Sequence, residues 1–178
     1  MKRYIILHHS ATVDGRLNDW AGIKKYHTSW RRLDKGAIVT QKEAGDLMAR
    51  GIPVTAPWRD IGYHYGIERE NGLILVKQGR PVNDTGAHAT GFNESGVGLC
   101  IVGNYDKESP DPLLWAEIKR QVKAIATEIG QDASVMAATG RILGHRETYG
   151  LRGLDPQKSC PGTSFDMERL RAELINEA

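Results

Sequence analysis

The stretch Tyr4-Ile5-Ile6-Leu7-His8 is apolar without alternation and ends on an imidazole. A run this short and this continuous reads as a strand buried on both faces, like the central strands of α/β sheets. It continues as His9-Ser10-Ala11-Thr12. In open α/β sheets, ligands bind beyond the carboxyl ends of the strands, so this exit is a candidate site.

Outward from that strand, Trp20, Ile23, His27 and Trp30 recur at spacings of 3, 4 and 3 and predict one face of a helix. Asn18 or Asp19 is its candidate N-cap. Thr40-Gln41-Lys42-Glu43 has the form of a capping box opening a short helix through Met48, stopped by Gly51. Gly51 to Asp60, with Pro53 and Pro57, predicts irregular chain. Tyr63 to Glu68 predicts a strand with Tyr63, Tyr65 and Ile67 on one face and His64 on the other. Asn71-Gly72 predicts a hairpin turn into a returning strand, Leu73 to Lys77. Val97 to Val102 is a further apolar strand containing Cys100. Asp111-Pro112 opens a long helix with the stripe Leu114, Ile118, Val122, Ile125 and Ile129, and Gly130 ends it. Arg141 to His145 predicts a short last strand, and Thr163 to Asp166 caps a C-terminal helix with Met167, Leu170 and Leu174 inward. Strands alternating with helices argue for an α/β fold.

The 178 residues suit one domain, and 40% hydrophobic with 26% charged residues is ordinary for a globular protein. Lys+Arg minus Asp+Glu is 24 − 22 = +2, which gives no electrostatic footprint for nucleic acid, so no nucleic-acid partner is expected. No apolar run approaches the roughly 18 residues of a membrane span. Tyr4 to Leu7 is too short for the core of a signal peptide, so synthesis in the cytoplasm is expected. The two cysteines, Cys100 and Cys160, do not suggest a disulfide scaffold.

Position separates the six histidines. His8 ends the first strand, and His145 ends the apolar run Ile142-Leu143-Gly144. Cys160 follows in Lys158-Ser159-Cys160-Pro161-Gly162, where proline disfavours helix. Two imidazoles and one thiolate can make a three-ligand zinc site with a fourth position left for water. His8 lies 137 residues before His145, so this is no zinc-finger spacing. On the residues alone three readings stand. The set holds a metal, or Cys160 is a nucleophile with His145 as base, or the three side chains are packed and inert. His27 reads as packed on its helix, His64 as hydrogen-bonded to a neighbour, and Cys100 as a small buried hydrophobe.

Tyr4-Ile-Ile-Leu-His8-His-Ser-Ala-Thr12, Asp60-Ile-Gly-Tyr63-His-Tyr65, Gly144-His145-Arg146 and Lys158-Ser-Cys160-Pro-Gly162 occur in this order. So do Gly79-Arg80-Pro81-Val82, Gly86-Ala87-His88 and Val97 to Gly103. The set resembles the zinc N-acetylmuramoyl-L-alanine amidases, the family of amidase-type phage lysozymes and peptidoglycan recognition proteins. The resemblance runs from about residue 3 to residue 165. It implies a single α/β domain over 1–178, with a mixed central β-sheet flanked by helices and one zinc at a groove. It implies hydrolysis of the amide between N-acetylmuramic acid and L-alanine in bacterial peptidoglycan. It further implies His8, His145 and Cys160 as metal ligands, Tyr63 and Lys158 as catalytic groups, and His88 as a substrate contact. Trp58, in the proline-containing loop before Asp60, is the tryptophan expected at the groove.

Two departures from the compact members stand out. Residues 30–58 form an insertion, and Tyr149 to Gln157 makes a long loop that must fold back to bring Cys160 to the metal. The retained cysteine favours an enzyme over a non-catalytic peptidoglycan-binding module. A monomeric phage or prophage endolysin, reaching the wall after holin-type release, is the expected setting. A cytoplasmic amidase recycling soluble muropeptides is the alternative.

Overall fold

The computed structural model describes residues 1–12 and 19–177. Its main sheet is built from β1 (Tyr4–His9), β5 (Tyr65–Glu70), β6 (Leu73–Gln78), β7 (Gly96–Ile101) and β8 (Ile142–Gly144), in the order β6-β5-β7-β1-β8. β1 runs parallel to both β7 and β8, β5 runs parallel to β7, and β6 is antiparallel to β5. The sheet is therefore mixed, with β1 interior, as its unbroken apolar run requires.

Period-two alternation sorts β1 between two layers. Ile5 and Leu7 join the larger core with Val97, Leu99, Ile101, Tyr65 and Ile67. That face is covered by α3 (Pro112–Glu128), α4 (Ala133–Ala138) and α6 (Met167–Asn176). Ile5, Leu7, Ile118 and Leu170 are fully buried, each worth roughly 1.5–3 kcal/mol of burial. Ile6 faces the other way, packed with Ala89, Phe92 and Leu143. On the same side Cys100 packs with Trp20 of α1 (Trp20–His27) and with Ile61.

Asp19 caps α1, its carboxylate accepting from the Gly22 N–H, while Asn18 lies outside the described residues. Trp30 does not extend that helix. The Thr28 and Ser29 hydroxyls donate to the Lys24 and Lys25 carbonyls, the helix stops at His27, and Trp30 enters a strand. The 30–58 segment forms its own small sheet, β3-β2-β4, from β2 (Trp30–Arg32), β3 (Ala37–Val39) and β4 (Val54–Thr55). It also carries α2 (Gln41–Ala49), opened by the Thr40/Glu43 capping box. β4 is thus a short ordered piece within a stretch expected to be irregular. Arg31 fastens this unit to the rest. Its buried guanidinium lies 5.1 Å from the Tyr26 ring centroid and 4.4 Å from that of Trp58.

The Asn71-Gly72 turn has φ of 52° and 79°, the left-handed pair that a two-residue hairpin needs. Two helices went unread in the sequence, α4 and α5 (His145–Gly150). Tyr63 also differs from expectation. β5 begins only at Tyr65, and Tyr63 packs on the Trp20/Cys100 side, opposite Tyr65 and Ile67. No helix among the described residues is long and apolar enough to cross a membrane.

Candidate metal centre

His8 is the second-last residue of β1, and β8 lies beside it with Leu7 paired to Gly144. His145, the next residue and the first of α5, is thereby set next to His8, with ring centroids 4.6 Å apart. Cys160 arrives from a loop fastened by the residue that follows His145. The Arg146 N–H donates to the Cys160 carbonyl at 2.7 Å. The Arg146 guanidinium donates to the carbonyls of Ser159 (3.0 Å), Gly162 (2.5 Å) and Phe165 (3.2 Å). Two glycines permit the close approach. A Cβ on Gly144 would stand 2.7 Å from Pro161 Cδ, and one on Gly162, at φ 119°, would stand 2.3 Å from the Tyr105 backbone.

One ligand nitrogen or sulfur from each of His8, His145 and Cys160 lies within 4.8 Å of the others, and His8 Nδ1 is 3.7 Å from Cys160 Sγ. Nitrogen and sulfur on one tetrahedral zinc stand roughly 3.6 Å apart, given Zn–N near 2.05 Å and Zn–S near 2.3 Å. The set fits that ion in spacing, and its mixed softness suits zinc over magnesium or calcium. The backbone N–H of His9 donates to the sulfur at 3.4 Å and so favours the thiolate that a metal requires. Burial holds His8 well below the usual imidazole range and lowers His145 to about 4, the latter aided by Lys158. Both rings are therefore neutral and keep a lone pair to give. Burial pushes the Cys160 thiol up to about 12 in the metal-free protein.

These side chains open on a cavity of about 640 Å³ that is also lined by Ser10, His27, Trp58, Tyr63, His88 and Lys158. An adjoining, more apolar cavity of about 610 Å³ shares Ser10, His27 and Tyr63 and runs between α1 and β3. A third cavity, at Arg69 and the 102–111 segment, holds none of the imidazoles. The Tyr63 ring lies 5.1 Å from the His8 ring. Its hydroxyl, turned in beside the Cys100 and Cys160 thiols, is kept protonated by burial, far above the ordinary phenol range. Lys158 stands exposed at the rim. Trp58 lines the cavity with its ring 4.6 Å from His27.

His27 is more than a packing residue. Its Nδ1 accepts from the Gly62 N–H at 3.1 Å, and the ring borders both cavities, neutral at pH 7 because burial lowers it to about 4. Its place on the helix face with Trp20 and Ile23 showed only that it points inward. His64 is bonded as expected, accepting from the Gly98 N–H at Nδ1 and reaching the Asp84 carbonyl with Nε2. Cys100 and Cys160 are both free thiols.

Two imidazoles at adjoining strand ends and a thiol from a neighbouring loop, beside an open cavity, form a donor set of the kind metal-dependent hydrolases use. The chain belongs to the N-acetylmuramoyl-L-alanine amidase family, whose family model matches residues 2–163. The endolysin of Klebsiella phage KP32 is 28% identical over 113 residues, covering 63% of this chain and 64% of that protein. The match thus spans just under two thirds of that relative. Among solved structures, the amidase LysC from Clostridium intestinale aligns with a TM-score of 0.62 at 21% identity, over 97% of this chain and 85% of that one. Drosophila PGRP-LB aligns at 0.54 and 24% identity, over 97% and 79%. At these identities the two structures establish the shared fold.

Proposed function

We propose that the protein is a zinc-dependent N-acetylmuramoyl-L-alanine amidase acting on bacterial peptidoglycan as a phage or prophage endolysin. The observation that carries this reading is the convergence of His8, His145 and Cys160 on one point at a cavity wall, in a chain of the amidase family. The endolysin setting is supported by the phage relatives.

His8, His145 and Cys160 would hold zinc, which when bound would supply Lewis acidity and lower the pKa of a water molecule to about 7. The rest falls to the chain. An amide carbonyl under attack develops negative charge on oxygen, and preorganised donors stabilise that charge. Tyr63 offers a hydroxyl that burial keeps protonated, and the Lys158 side chain lines the same cavity. In this reading one of these two also delivers the proton to the leaving alanine amine. Trp58, backed by Arg31 and packed beside His27, lines the cavity wall along which substrate would lie.

The thiol-hydrolase alternative is disfavoured by Cys160 itself. A nucleophilic cysteine needs a depressed pKa, and burial drives this one upward. The deciding experiment is mass spectrometry of digested peptidoglycan together with metal analysis. The expected products are peptides with a free L-alanine amine and glycan strands with unsubstituted lactyl groups. New reducing ends, or activity unchanged after zinc is stripped, would overturn the reading. Activity on soluble muropeptides but not on permeabilised cells would assign a recycling role instead.

A further inference from the structure

We propose that His88 is a positioning residue of the metal centre, acting through His8 rather than on substrate. The inference rests on the zinc reading above. His88 Nδ1 lies 3.0 Å from His8 Nε2, with the rings edge-on at 87°. His8 has only two nitrogens, and its Nδ1 is the one directed at Cys160 Sγ. If Nδ1 gives its lone pair to the metal, the His8 proton sits on Nε2 and is donated to His88. A histidine ligand that hands its second N–H to a fixed acceptor is locked in both ring orientation and tautomer.

The acceptor is itself rigidly built. The His88 ring fills a slot between two glycines, where a Cβ on Gly86 would stand 2.5 Å and one on Gly98 2.7 Å from ring atoms. The loop carrying it is tied twice. Asn93 Oδ1 accepts from the N–H groups of His88 (2.7 Å) and Ala89 (2.8 Å). The buried Lys2 ammonium donates to the carbonyls of Asp84 (2.7 Å) and Gly96 (3.0 Å). His88 Nε2 is sealed from solvent without a hydrogen-bond partner. With Nδ1 engaged by His8, neither ring nitrogen is left to a ligand in the cavity. A substrate-contact role explains neither the glycine slot nor the tied loop. A rigid acceptor for His8 accounts for the slot and the tied loop.

The test measures zinc affinity by chelator competition on the whole chain, with thermal unfolding of the metal-free forms as the control for folding. His88→Ala should bind zinc about 10- to 100-fold more weakly than wild type. His88→Asn, whose Oδ1 can stand where Nδ1 stood, should recover most of that loss. Long-range ¹H–¹⁵N spectra of the zinc-loaded wild type should show His8 protonated at Nε2. Wild-type zinc affinity in a folded His88→Ala protein, or a His8 proton on Nδ1, would overturn the positioning role and leave the metal site standing. Failure of the wild type itself to bind zinc would overturn both.

Discussion

His8 Nδ1 and Cys160 Sγ lie 3.7 Å apart although 152 residues separate them in the chain. That contact is the shortest statement of what the fold accomplishes, because neither residue has a local reason to meet the other. Its chemical use is directly testable. Cys160→Ala and His145→Ala should each abolish stoichiometric zinc and peptidoglycan hydrolysis together. Chelation of the wild type should do the same reversibly, with zinc restoring turnover, as read by atomic absorption and a turbidity assay.

Tyr63 should separate metal binding from turnover. Tyr63→Phe removes only the hydroxyl beside the two thiols, so zinc content should stay at wild-type level. Turnover should fall about 100- to 1,000-fold, the usual cost of losing one oxyanion donor. Lys158→Ala should behave similarly. Wild-type rates in either variant would remove that residue from the chemistry.

Stability should depend on pH through His64. In the fold its Nδ1 accepts from Gly98, and burial lowers it to about 4, against an ordinary value of 6.5. The unfolded chain therefore takes up a proton first as pH falls. The contribution is complete above pH 6.5 and is lost progressively toward pH 4, by on the order of 3 kcal/mol. Chemical denaturation between pH 4 and 7 should show stability rising with pH. His64→Gln should flatten part of that slope.

Arg146 should matter without touching substrate. It binds three carbonyls of the loop that presents Cys160. Arg146→Ala should cost about 3 kcal/mol of stability and weaken zinc binding. Arg146→Lys should recover little, since one ammonium does not reproduce the planar fork. Urea denaturation and chelator competition measure the two effects.

Much of this was legible in the residues. The unbroken apolar run of β1, the Asn71-Gly72 turn and the Thr40/Glu43 box are local signals, and each matched its element. On the residues alone His8, His145 and Cys160 leave three readings open, and it is the family resemblance that implies them as a ligand set. What stayed hidden depends on tertiary context. The fold buries two cations, Lys2 on backbone carbonyls and Arg31 against aromatic rings, and no local pattern in the sequence marks either. Tyr63 lies opposite Tyr65 and Ile67 because it precedes β5, where strand alternation does not apply. Trp30 kept helical spacing by coincidence, while hydroxyl groups one turn earlier had already closed the helix. The bond from His8 to His88 joins two unconnected segments, and no spacing rule reports it.

The placement of His8 and His145 at neighbouring parallel strand ends also bears on maturation, because the two imidazoles come together only where β1 and β8 are paired. A site set by the closed sheet does not need the ion in order to be assembled. Protein accumulated under zinc starvation should wait, fully folded and silent, until the ion is supplied.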